Sequence, residues 1–561
     1  MFFRDRRRPS KQANMTYIPD KISTSLSSCG IWLVSFVIIV LITHIVSRRR
    51  KLLVQLPGPP PTGWIKGHFS NLIGPRSVEF QDEMIAQYGP TLKLYGGFGE
   101  ELIFTADPSI MHHVLVKERA AFERPAGAQL LIRSVFGGGL LAQSGDEHRV
   151  HRKLLNPVFT MKLLRERGYK LMQWTAIADM FLFASALRKT SKGIKKDIAS
   201  FKGPSNEVDV FPWATVAALE LVGEAGLGYS FSSFTGERNE YNIAIKSVMQ
   251  VFSKMGPFMK VLPYVYRMGT PSFRSWILKH IPHNNIQQLQ HAVRIQNEQA
   301  EEVIRTRQGL ISSGEDLSSQ AGRGRDIMTL LMKANEATGS QHHVSRQEMV
   351  GHMNTFVFAG HETTSTAVAR ILDILAQKPR VQVELREEIR KYFEKNLSDT
   401  NYDGLLELPY LDGVVRETLR LHGPVTLLNR ICEEDIVLPL HYPIETPAGK
   451  LTSIPIKKGT RVFATISASN RYERIWGERA KEYLPERWIE SKIEEVTQPG
   501  VHLPGTPMLE VMIAELIKDF KFEPSQEEHD WESFGIQFPY FKKDIDNLTR
   551  VPKLHLKVTQ L

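Results

Sequence analysis

Glu362 and Thr363 stand side by side in the stretch Asn354 to Ala369, NTFVFAGHETTSTAVA, a carboxylate and a hydroxyl in apolar company. Such a pair can relay protons to a reacting group. Gly360 removes side-chain bulk and lets a flat ligand approach the backbone. Thr363 lies one turn after Ala359 and can bond back to its carbonyl, which bends or widens a helical turn. Glycine and paired threonines are poor helix formers, so this local conflict points to a site. A kinked core helix with a few satisfied polar groups is the plainer alternative. His361 and Glu362 also suggest a zinc protease, but position 365 is Ser365, so the second metal-binding histidine is missing. The G-x-G-x-x-G and G-x-x-x-x-G-K-S/T phosphate loops are absent, and Gly96, Gly97 and Gly99 read as a turn.

Further charged residues invite a role. The stretch Leu408 to Pro424, LPYLDGVVRETLRLHGP, puts Glu417 and Arg420 three residues apart on one helix face. Their neighbours Val414, Val415, Leu419 and Leu421 imply partial burial, where both charges need further partners. In Gly145 to Phe159, GDEHRVHRKLLNPVF, His148 and Arg152 share a face at i and i+4. That face can grip an anionic group, although a solvated surface is the commoner explanation. Arg430 follows the strand-like run VTLLN, and Arg487 lies in YLPERW, Tyr483 to Trp488.

The elements that must position these residues are legible in outline. Ser345 with Glu348 three residues on is a capping box, and Pro379 forbids continuation, so a long helix is predicted up to Lys378. Thr91 to Thr105, TLKLYGGFGEELIFT, reads as two short strands around a glycine turn. Leu115 to Leu141 lacks clear periodicity, as a loop lining an apolar pocket or a plain buried loop would. Ser312 to Arg325 is hydrophilic and loop-like, and Arg380 to Lys395 reads as a charged surface helix.

The chain has 561 residues and a formal charge of +10, enough for a large core. It shows no internal repeat. The charge suits an acidic membrane surface or an acidic partner. Nucleic acid is not favoured, because no basic stripe interleaved with aromatics occurs. Ile22 to Ser47 contains no Asp, Glu, Lys or Arg. As a helix it would measure roughly 39 Å, which is enough to cross a bilayer. The expected organisation is a basic tail at 1–21, a single transmembrane anchor at 22–47, a basic and proline-rich connector at 48–64, and one domain from 65 to 561. Basic residues flank the span on both sides, so charge does not decide its orientation. The two cysteines, Cys29 and Cys432, argue against a structural disulfide and for a reducing compartment.

AGHETT from Ala359 to Thr364, the E-x-x-R of Glu417 and Arg420, and PERW from Pro485 to Trp488 occur in one order along the chain. This ordered set resembles a membrane-bound cytochrome P-450 of the fungal microsomal type. The resemblance implies a mainly α fold with small β-sheets behind the anchor, holding haem between the long helix and a proximal loop. It assigns Glu362 and Thr363 to proton delivery during oxygen activation. It assigns Glu417, Arg420 and Arg487 to a buried charge network, and Arg152 and Arg430 to the haem propionates. It further implies NADPH and O2 as co-substrates, NADPH-cytochrome P-450 reductase as partner, and a lipophilic small-molecule substrate, as in fungal secondary metabolism. The expected location is the endoplasmic reticulum membrane, single-pass, with the main domain cytosolic.

The sequence departs from that pattern twice. His148 stands where the family usually has tryptophan, and can still donate to a propionate. The loop F-x-x-G-x-R-x-C-x-G, whose cysteine thiolate is the axial iron ligand, is missing after Trp488. The chain passes from PGVH, Pro499 to His502, through LPGTP to LEVMIAELIKDFKFE, Leu509 to Glu523. By resemblance roughly fifteen residues are absent near 503–507. No metal ligand is therefore assigned. The fold places Cys432 away from the proximal face, and imidazole ligation by His502 would favour different haem chemistry. Two functions follow: a monooxygenase, or an inactive, haem-free membrane-anchored relative that binds or regulates. A mis-spliced product is a third reading.

Overall fold

The computed structural model describes residues 56–159, 207–227, 229, 231, 241, 248, 262–267, 269–280, 284–313, 327–337, 344–396, 402–447, 449–489, 507–544 and 550–561. The basic tail, the 22–47 span, the first part of the connector, most of the 312–325 run, His502 and residues 503–506 of the 503–507 junction lie outside them. Among the described residues no helix is long and apolar enough to cross a membrane.

Helix α1 (Ser77–Tyr88) leads into strands β1 (Thr91–Tyr95) and β2 (Glu101–Thr105), and β3 (Phe122–Glu123) precedes α2 (Ala126–Phe136) and α3 (Gly145–Phe159). After β4 (Glu207–Asp209) come α4 (Val210–Leu221), α5 (Asn284–Ser312), α6 (Ile327–Ala337), α7 (Arg346–Gln377), α8 (Pro379–Lys395) and α9 (Pro409–His422). Strands β5 (Leu427–Cys432), β6 (Ile436–Thr446), β7 (Gly449–Ile456) and β8 (Arg461–Thr465) follow, then α10 (Pro507–Asp519). The chain ends with β9 (Phe520–Pro524), β10 (His529–Ser533), β11 (Gln537–Phe541) and β12 (His555–Gln560). Helices dominate and the sheets are small, as expected.

The 32-residue α7 is the axis of the domain. Ser345 caps it: its hydroxyl accepts from Glu348 N at 3.3 Å, and its own N–H donates to the Glu348 carboxylate at 2.8 Å. Pro379 ends it by opening α8. Met353, Val357, Val368, Ile371 and Leu375 are fully buried in the main core, with α4, α5, α9, α10 and β9 packed around them. Near its start the backbone of a preceding turn touches it, since a Cβ on Gly139 would meet Gly351 O at 2.1 Å.

The predicted hairpin forms, with Thr91 opposite Thr105 and Tyr95 opposite Glu101. It belongs to a five-stranded sheet ordered β1-β2-β8-β5-β3, in which only the β2–β8 pair is parallel. The other sheets are β4-β12-β9 and the hairpins β6–β7 and β10–β11.

Two expectations change. The stretch from Leu115 to Leu141 is not simply a loop, because it contains α2, whose Leu131, Val135 and Phe136 are buried at i, i+4 and i+5. An 11-residue helix flanked by Pro125 and Gly137 is too short for its periodicity to stand out. The charged helix α8 is exposed on one side only. Its Leu385 and Ile389 are buried, and Gln382 exchanges two 2.9 Å bonds with the Phe522 backbone while Arg386 donates to Ile517 O and Phe520 O.

Candidate active site

From Met349 to Ala376 every residue of α7 is buried except Phe356, Ala359, Gly360, Thr363 and Arg370. At 100° per residue those five fall within one face. An accessible stripe on a helix that is otherwise surrounded by core marks open space inside the protein, and Ala359 is its most accessible point. Thr363 lies on the stripe and its hydroxyl donates to Ala359 O at 2.7 Å. Glu362 does not share that face. It is buried next to His361, whose Nδ1 is 3.5 Å from Glu362 Oε1. The two residues expected to act together thus point differently from one helix, one toward the open space and one into the core.

Gly360 needs a different explanation from the one its sequence suggests. A Cβ there would meet Val222 Cγ2 at 2.7 Å, so the glycine makes room for a protein side chain. Val222 belongs to a π-helical turn, Val222–Leu227, that continues α4 across α7. The open face is consequently lined by Phe356, Ala359 and Thr363 with Val222 at its edge.

Arg430 sits in β5, and the β3–β5 pairing sets Glu123 opposite Ile431. That register brings Arg124, the residue after β3, up to Arg430. Burial, followed by repulsion from Arg124, lowers the Arg430 pKa, and burial lowers that of Arg124. From α3 come His148 and Arg152. Burial, then Arg124 and Arg152, pushes the His148 imidazole below its usual value, with Arg119 adding to the same effect. Glu123 is the acid among these cations, and its carboxylate is occupied by Gly145 N at 2.9 Å. Arg124 donates to Leu141 O at 2.8 Å and Arg430 to Asn429 O at 2.9 Å. Arg124, His148 and Arg430 are partly buried and Arg152 is exposed beside them; such a group of like charges calls for an anion, and guanidinium groups favour carboxylates. Arg124 was missed in the sequence because nothing local distinguishes it; only strand pairing places it here.

Glu417 and Arg420 are fully buried and form a fork of two 2.8 Å bonds. Arg420 also donates to Asn470 O, Ala480 O and Glu482 O, and its guanidinium stacks 4.8 Å over Trp476. Glu417 accepts from Leu484 N and Trp488 Nε1, both at 3.0 Å. Arg487 approaches Glu417 Oε1 at 3.6 Å and donates to Trp476 O and Arg479 O. The structure brings Glu417, Arg420 and Arg487 together. Gly413 allows the close contact, since a Cβ there would lie 2.6 Å from Pro485 O.

A second network was not anticipated. Buried Asp373 accepts from Trp531 Nε1 at 2.7 Å, His529 Nε2 at 3.0 Å, Gln377 at 2.7 Å and Arg370 at 3.3 Å. Arg370 continues to His422 Nδ1 at 2.8 Å, and burial brings its pKa down to about 10. The hairpin β10–β11 is thereby tied to the far end of the open stripe.

The open face suits the flat ring of a haem, and the cation cluster suits its two carboxylates. The ligand set does not complete the fit. Cys432 is a buried thiol: its Sγ donates to Glu434 O at 2.9 Å, burial pushes its pKa up, and it packs in a separate core with Ile103, Val114 and Val462. Among the described residues no three His, Cys, Asp or Glu side chains converge to hold a metal. No thiolate ligand is provided by the residues that the structure describes.

The described residues thus form a mainly helical domain with one long helix open along one face, a cluster of cations and a buried Glu–Arg fork. Residues 57–535 match the family model for Cytochrome P450, and the chain belongs to that family. It is 32% identical over 532 residues to Cytochrome P450 monooxygenase 219 of Postia placenta, covering 91% of this chain and 94% of that one. Cytochrome P450 monooxygenase 91 of the same fungus is 35% identical over 535 residues, with coverage of 91% and 94%. Ganoderic acid synthetase CYP5150L8 of Ganoderma lucidum is 31% identical over 542 residues, with coverage of 91% and 95%.

Proposed function

We propose that this protein is a haem-dependent monooxygenase that inserts one oxygen atom into a lipophilic small molecule. Its electrons come from NADPH through a membrane-bound reductase, and its substrate belongs to fungal secondary metabolism. The observation that carries this reading is Thr363 on the open face of α7, its hydroxyl proton held by Ala359 O. That bond leaves the Thr363 oxygen as an acceptor toward the open space, where it can take and pass a proton. Phe356, Ala359 and Val222 make the rest of the face apolar, which selects a lipophilic molecule and excludes water. Arg124, Arg152, Arg430 and His148 would hold the cofactor's carboxylates. Bound haem would supply the oxygen-activating chemistry, and a cysteine-bearing loop would have to supply its thiolate. The relative named a ganoderic acid synthetase supports a biosynthetic role. The uncharged span at 22–47 supports a single-pass anchor in the endoplasmic reticulum, with the domain on the cytosolic side.

The cysteine count favours a second reading for the chain as written: a membrane-anchored relative that binds apolar ligands without turnover. Sequencing the mature transcript across the codons for His502 to Pro507 separates the two. An in-frame insertion carrying a cysteine in a glycine-rich setting upholds the monooxygenase. An uninterrupted HLPGTP junction refutes thiolate-supported catalysis and leaves the binding protein.

A further inference from the structure

His151 of α3 and His352 of α7 form a buried pair, with His151 Nδ1 2.8 Å from His352 Nε2. The backbone N–H of Leu140 donates to His352 Nδ1 at 3.3 Å. Gly139 and Gly351 permit that approach, because a Cβ on either would collide with the other's backbone. With its Nδ1 occupied as acceptor, neutral His352 carries its proton on Nε2 and donates to His151 Nδ1. His151 then carries its own proton on Nε2, which faces Glu348 Oε1 at 3.5 Å and the Gln143 amide at 3.1 Å. The opposite assignment would set His352 Nδ1–H against Leu140 N–H. A backbone donor cannot turn away, whereas the Gln143 amide, whose nitrogen is the atom facing His151 Nε2, can turn at the cost of its 3.0 Å bond to Gly138 O.

The consequence is a chain of bonds with no room for another proton. A proton added to His352 Nδ1 opposes Leu140 N–H, and one added to His151 Nδ1 opposes His352 Nε2–H. Either addition turns an acceptor into a donor and breaks a link. The acids Glu348 and Glu147 face the pair and favour protonation. Leu140, Gln143 and the stacked ring of Phe356 present uncharged groups, and α6, packed on α3, carries the exposed Lys333. Burial outweighs the acids and lowers both imidazoles, His352 to about 4.

His151 precedes Arg152 and lies three residues after His148, so holding His151 fixes the rotation of α3 about its axis. We propose that His151 and His352 are positioning residues: a latch, closed only while both imidazoles are neutral, that aims His148 and Arg152 at Arg124 and Arg430 to complete a receptor for a dicarboxylate tetrapyrrole. This rests on the haem reading above and adds to it a control over where the receptor's α3 half sits.

The test uses the full-length protein in detergent as wild type, His352→Gln and His352→Ala. Metal-free protoporphyrin IX is the probe, read by quenching of tryptophan fluorescence, so axial ligation plays no part. Glutamine presents an amide N–H to His151 without titrating. Between about pH 7 and about pH 3.5 the wild type should lose roughly threefold to fivefold more affinity than His352→Gln, because His352 gains its proton only near pH 4, while His352→Ala binds more weakly at both. Protonation of the probe affects all forms alike. Melting midpoints without porphyrin provide the second readout. The unfolded chain binds more protons than the folded one between about 4 and 6.5, so the wild-type midpoint should fall more steeply with acid than that of His352→Gln. Parallel melting profiles overturn the latch whatever the porphyrin does. Steeper wild-type melting with parallel porphyrin curves overturns the positioning role. Steeper wild-type melting with no porphyrin binding by any form upholds the latch and counts against the haem reading instead.

Discussion

Arg420 meets Glu417 through two parallel bonds of 2.8 Å, with both side chains fully buried. The remaining arms of each group reach backbone carbonyls, a backbone N–H and the Trp488 indole, so neither charge is left to the core. The fork joins α9 to the PERW turn and holds the segment that leads toward residues 490–506.

Arg420→Lys keeps the charge but loses the fork and strands the carbonyls of Asn470 and Ala480. Stability should fall by roughly 3 kcal/mol. Chemical denaturation measures this, and a midpoint equal to wild type would show that the network contributes nothing.

Thr363→Val preserves shape and removes the hydroxyl that bonds Ala359 O. The helix keeps its backbone bonds, so stability should change by less than about 1 kcal/mol. In the form carrying the cysteine-bearing loop, product formed per NADPH consumed should drop by about tenfold. An unchanged ratio would remove Thr363 from proton delivery.

Glu510 opens α10 almost fully buried, and burial followed by repulsion from Asp412 raises its pKa to about 7 from an ordinary 4.5. The folded protein therefore keeps a proton that the unfolded chain releases across that window, and stability falls as pH rises through it. Glu510→Gln should stabilise by about 1–3 kcal/mol at ~pH 8 and have little effect at ~pH 4.5. A shift of the same size at both pH values would contradict the assignment.

Cys432→Ala removes a buried thiol bonded to Glu434 O. Stability should drop by about 1 kcal/mol, while the absorbance of added haem stays that of the parent chain. A changed haem band in the folded variant would make Cys432 an iron ligand after all.

Local signals in the sequence proved reliable where the physics is local. The capping box at Ser345, the stop at Pro379, the β1–β2 hairpin and the three-residue spacing of Glu417 and Arg420 depend on neighbours a few positions apart. Arg124 and Arg430 meet only because β3 pairs with β5, and Asp373 collects His529 and Trp531 only because β10–β11 docks on α7. No windowed pattern can show such encounters. The same holds for His151 and His352, which read as ordinary helix residues until two glycines bring their elements together.

By itself the sequence determined the order of the family motifs, the capped boundaries of the long helix and the supply of only two cysteines, because composition and short-range bonding need no fold. The tertiary structure decided which residues of that helix face open space. It put Thr363 on the accessible stripe and Glu362 in the core, filled the gap at Gly360 with Val222, and gathered cations from α3, the end of β3 and β5 at one rim. The reason is that burial and strand register depend on the whole chain. A helical period says which residues share a face, and only the neighbours packed against the helix say which face stays open.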